Sequence, residues 1–138
     1  MKKQVSQKKE LPEMHLESRK WISYLQFMSD EILFIDKLLN SYVFEPDTPD
    51  LFERLQEYQQ GLERTKKDIK EVQGYIIGHE NDLGGLLEIS DQNLDFAYSK
   101  KHEQYATEVE SCLQNFQHLK ADIFNYAGGI LKKRKNKA

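Results

Sequence analysis

GYIIGHENDLGG, residues 74–85, holds four glycines and one histidine, with Glu80 and Asp82 close behind. Whether it is loop or helix decides the fold. The residues around it give the answer. Val72, Ile76, His79, Leu83 and Leu86 keep a four-three spacing straight through the glycines. Unbroken phase is what a continuous helix requires, so the stretch reads as a locally weakened helix and not as a connection. Gly74 and Gly78 share one face beside this row, where glycines let two backbones approach closely, at about 1 kcal/mol each against alanine. Gly84 and Gly85 fall in the last expected turn and help to end the helix.

The same beat extends outward in both directions. Upstream in this helix it runs through Leu51, Leu55, Tyr58, Leu62, Thr65 and Ile69. A first row comprises Met14, Ser18, Trp21, Leu25, Met28, Ile32, Ile35, Leu39 and Tyr42. A third comprises Tyr98, His102, Tyr105, Val109, Cys112, Phe116, Leu119, Ile123, Tyr126 and Ile130. A seven-residue repeat with two apolar positions is the pattern of helices packed side by side; a strand would alternate every second residue. The ends agree with this reading. Pro12 suits a first helical turn, and in FEPDTPDLF Thr48 is a suitable N-cap with Pro49 and Asp50 in the turn it opens. Ser90 or Asp91 offers the next cap.

The expected architecture is therefore all-α: an antiparallel up-down-up three-helix bundle, with helices near 13–43, 49–87 and 91–133 and coiled-coil-like heptad packing. Residues 12–133 form the bundle, flanked by basic tails at 1–11 and 134–138. The pattern resembles spectrin-type three-helix repeats in architecture alone, a tryptophan in the first helix included, and it carries no motif of that family.

Composition narrows the function. The 138 residues are 31% charged and 38% hydrophobic, with a formal net charge of −3. A single cysteine, Cys112, excludes an intrachain disulfide and fits a reducing, cytoplasmic setting. The N-terminal lysines are followed by no apolar core of the secretory kind, and no run of about 18 apolar residues occurs. There is no phosphate-binding glycine loop with its Lys-Ser or Lys-Thr, and no Gly-x-Ser-x-Gly elbow. On its seam position Cys112 reads as a small apolar core residue and not as a nucleophile. No enzymatic chemistry is expected.

Three candidate surfaces remain. The first is a second apolar edge on helix 1, formed by Tyr24, Phe27, Phe34 and Leu38. It would either widen helix 1's contact with both other helices or meet a protein partner, another copy of the chain included. On it rests the leading expectation: a non-enzymatic interaction or scaffold protein that presents a rigid helical surface. The second is a histidine layer. If the chain reverses near 46–47 and 90–91, residues whose numbers add to about 93 share a level on helices 1 and 2, and those adding to about 181 on helices 2 and 3. His15, His79 and His102 then fall at one level, with Glu13, Glu17, Glu80 and Glu103 nearby. Three converging imidazoles suit zinc or a similar divalent ion, although the Glu-x-x-His pairing of di-iron bundles is absent. By the same levelling, His118 falls near Glu31. The third is the basic C-terminal run Lys132, Lys133, Arg134 and Lys135, which with the N-terminal lysines offers contact to nucleic acid or an anionic membrane surface. The acidic remainder of the chain disfavours a long duplex.

Overall fold

The computed structural model describes residues 10–41, 50–86 and 92–137, and among these the side chains other than those of 92–94 and 130–137. They form three helices: α1, Leu11–Leu39; α2, Leu51–Leu86; and α3, Gln92–Lys137. No strand occurs among the described residues. The expected number of helices and their order hold, and GYIIGHENDLGG is helical throughout.

The helix ends show why the boundaries moved. α1 begins with half of a capping box, the Glu13 carboxylate accepting from the Glu10 backbone N–H at 3.4 Å. It stops at Leu39, short of 43. Asn40 Nδ2 donates to the Asp36 carbonyl at 2.8 Å and Ser41 Oγ to the Leu38 carbonyl at 2.7 Å. These side chains satisfy carbonyls that a further turn would have needed, so the helix closes there. α2 opens at Leu51. Asp50 lies before it in the left-handed region, with φ 57°, and its carbonyl accepts the Arg54 N–H at 3.0 Å. Asp50 thus stands at the edge of the helix and not inside its first turn, a conformation that aspartate tolerates better than most residues. The proposed caps Thr48, Ser90 and Asp91, together with Pro49 and Tyr42, lie outside the described residues. α3 continues to Lys137, taking in positions 134–137 that the pattern left as tail.

The chain divides into two compact units. One contains residues 1–26 and 70–111, the other 27–69 and 112–138. In the first, Tyr75 stacks on Tyr105, His79 meets His102, and Leu83 packs with Tyr98. Numbers rise on one helix as they fall on the other, so α2 and α3 are antiparallel. Met14 meets Ser99, and Glu17 meets His102, each pair 85 residues apart, so α1 and α3 run the same way. The core of this unit is built on Met14, Leu25, Val72, Ile76, Leu83, Tyr98 and Val109. In the second unit the buried residues are Met28, Ile32, Ile35 and Leu39 on α1, Leu51, Tyr58, Leu62 and Ile69 on α2, and Cys112, Phe116 and Ile123 on α3. Tyr58 lies beside Tyr126, its hydroxyl directed at the Asp122 carbonyl. Every described seam position is buried or half-buried, Trp21 among the latter.

The glycines require a correction. A Cβ built on Gly74, Gly78, Gly84 or Gly85 would meet nothing within 4 Å, so none of them serves a close backbone approach. None has positive φ, so Gly84 and Gly85 are not left-handed caps either. The close approach is elsewhere: a Cβ on Gly61 would lie 3.0 Å from the Leu119 side chain. Helix periodicity shows which face a glycine occupies, but contact is decided by the neighbour.

Gly74→Ala and Gly78→Ala are therefore expected to stabilise the chain by about 0.5–1 kcal/mol each, the helix-propensity gain with no steric term against it. Urea denaturation monitored by circular dichroism checks this. A loss of stability at either position would show that these glycines are needed for contact or conformation.

Candidate functional site

Two features stand out, one buried and one exposed. The buried one lies in the first unit, where the seam calls for apolar residues but the chain supplies Ser18, His79 and His102, all buried. The histidine rings join end to end. His79 Nε2 lies 2.9 Å from His102 Nδ1, and His102 Nε2 lies 2.7 Å from a Glu17 carboxylate oxygen. A carboxylate can only accept, so His102 Nε2 carries its proton, its Nδ1 is the acceptor in the neutral ring, and His79 Nε2 donates. With the His102 ring neutral, this terminal acceptor sets the direction along Glu17–His102–His79.

Aromatic rings enclose the row. Tyr98 lies flat on His79 at 3.9 Å between centroids, Tyr105 meets the same ring edge-on, and Trp21 stacks on His102 at 4.5 Å. Burial, reinforced by neighbouring His102 and Lys101 and opposed by Asp82, holds the His79 imidazole down to about 4. Burial likewise pushes the Tyr98 phenol well up, with Glu80 and Asp82 adding to the effect and Ser18 opposing it. The hydroxyls of Ser18 and Tyr98 are buried without a partner in hydrogen-bonding geometry.

His79 and His102 thus come together as their numbering implied, but His15 does not join them. It is exposed, and its Nδ1 lies 2.9 Å from the Glu80 carboxylate. The physical reason is register. Met14 packs with Leu83, one turn further along α2 than the level expected from tight reversals. That shift, together with the outward position of His15, carries its imidazole away, and Glu17 occupies the third place. Among the described residues no three His, Cys, Asp or Glu side chains converge so as to hold an ion. Glu31, once levelled with His118, pairs with Lys120 at 2.8 Å, while His118 is exposed. Cys112 is buried and in no disulfide.

The exposed feature is on α1. Tyr24, Phe27 and Phe34 are 54%, 62% and 63% exposed, and Leu38 is half-buried. The expectation that this edge widens α1's own contact is thereby corrected. Tyr24, Phe27 and Phe34 stand outside the seam, whose described positions are buried or half-buried without them. Lys132, Lys133, Arg134 and Lys135 lie on α3, but their side chains fall outside the described residues. No described helix is long and apolar enough to cross a membrane.

Compared with known families, curated proteins and solved structures, the chain matches none.

His79 carries a pH dependence with a definite sign. The unfolded chain takes up this proton near 6.5, whereas the folded one takes it up only near 4. Between these values the unfolded state binds more protons. Stability contributed here is full above about pH 6.5, falls as the pH drops towards 4, and levels off below, the total loss being about 3 kcal/mol. Denaturation curves at several pH values should show this slope in the wild-type chain and a flatter one in His79→Gln. An unchanged slope in the variant would refute the assignment to His79.

Proposed function

We propose that the chain is a non-enzymatic helical interaction protein that presents the aromatic row of α1 as a docking surface for a protein helix. The observation behind this reading is the exposure of Tyr24, Phe27 and Phe34 together on one side of α1, beside the row Leu25, Met28, Ile32, Ile35 and Leu39 that the chain's own packing buries. Single exposed apolar side chains are ordinary, but a row of large aromatics on one face is the composition of an interface and not of a solvated surface. The spacing strengthens the point. Tyr24, Phe27, Glu31, Phe34 and Leu38 follow the same four-three beat as the buried seam, so a partner helix can lie along them as the chain's own helices lie along the other face. A helix this well seated is a rigid platform, which lowers the ordering cost of association.

The reading separates two roles that aromatic residues can have. If the row serves docking, Phe27→Ser with Phe34→Ser should leave the stability of the isolated chain within about 0.5 kcal/mol of wild type, as surface substitutions do. Chemical denaturation at submicromolar concentration measures this. A loss of about 2 kcal/mol or more would place the two rings in the chain's own core and end the proposal.

A further inference from the structure

The charges around the aromatic row name its partner. Resting on the docking role proposed above, we infer that the row pairs with the same row of a second copy, α1 antiparallel to α1, about a two-fold axis near residue 25. The stretch RKWISYLQFMSDE, residues 19–31, is self-complementary under reversal. It opens with Arg19 and Lys20 and closes with Asp30 and Glu31, and Tyr24 and Phe27 lie between. The steps from Lys20 to Tyr24, Phe27 and Glu31 are four, three and four residues, a sequence of steps that reads the same in both directions.

Laid antiparallel, Tyr24 of each copy meets Phe27 of the other. Lys20 meets Glu31, Arg19 lies within one turn of Asp30 and Glu31 along the same edge, and exposed Leu16 comes beside Phe34. Every charged contact in this register joins opposite signs. The parallel alternative sets Lys20 on Lys20 and Glu31 on Glu31, so charge selects the antiparallel orientation. A two-fold axis also closes the assembly at two copies, because each surface is used once and by its equivalent. Glu31 already accepts from Lys120 at 2.8 Å within its own chain, and a carboxylate has acceptor sites to spare for a second ammonium. Six aromatic rings, each already partly covered, supply on the order of 700 Å². That is below the roughly 1,000 Å² of a stable interface, so the pairing is weak and transient, with association expected only towards about 100 micromolar and above.

Sedimentation of wild-type and charge-reversed full-length chains tests this. Wild type should pass from monomer to dimer with concentration. Lys20→Glu alone and Glu31→Lys alone should each weaken self-association at least tenfold, since each sets like charges opposite one another twice. Mixed in equal amounts, the two variants should form a heterodimer of near wild-type affinity, in which each reversed charge meets its complement. Circular dichroism reports whether Glu31→Lys folds without its Lys120 pair; if it does not, Asp30→Lys replaces it on the same edge. A wild-type chain that remains monomeric to about millimolar concentration overturns the pairing. So does a dimer indifferent to both reversals. In either case a stability-neutral Phe27→Ser with Phe34→Ser leaves the row as a surface for another partner, whereas a destabilised one removes that role as well.

Discussion

The constraint on which everything else depends is phase. Each helix must keep its buried side chains on one side over its whole length, and a slip of one residue would turn the row by about 100° out of the seam. The near-complete burial of Leu25, Ile35, Ile69, Ile76, Phe116 and Ile123 shows that it does not slip. Each such side chain contributes about 1.5–3 kcal/mol when buried, against about 1 kcal/mol lost at a helical glycine. This inequality is why α2 passes through Gly74, Gly78, Gly84 and Gly85 without a break. The seam outweighs the local preference, and tertiary burial, not propensity, holds the helix there.

Within that frame the polar layer is a trade of stability for definition. Ser18, His79 and His102 occupy positions that isoleucine or leucine would fill at lower cost. The histidines remain tolerable because they are not isolated. Glu17 accepts from one ring, that ring accepts from the other, and three aromatic side chains cover their faces. A slip of α2 against α3 would leave ring nitrogens buried and unpaired, a penalty that an all-leucine seam does not impose. The layer therefore fixes which residues face one another as well as which faces are buried, and it makes the same contacts sensitive to protons.

α1 differs from its neighbours in carrying the heptad spacing on two faces. One is consumed by the chain's own packing. The other keeps its aromatics in solvent, flanked by basic residues towards one end and acidic residues towards the other. The proposed role and the proposed partner both follow from this duplication.

The four-three rhythm was enough to give three helices, their order and nearly every buried position, because periodic burial is a local property written in residue spacing; their direction followed from the shortness of the connections. The meeting of His79 and His102 was legible for the same reason, since the short link between α2 and α3 leaves little freedom in their register. The ends of α1 and α2 were less so. They turn on the Asn40 and Ser41 side chains reaching carbonyls and on the backbone of Asp50, which compete with the pattern and do not extend it. Only the tertiary structure decided that Glu17 and not His15 completes the polar layer, that Gly61 and not Gly74 or Gly78 lies against a neighbour, and that the second face of α1 stays open. Each of these depends on how far one helix is displaced along another, a distance set by the packing of side chains from separate parts of the chain and not by the spacing of residues within any one of them.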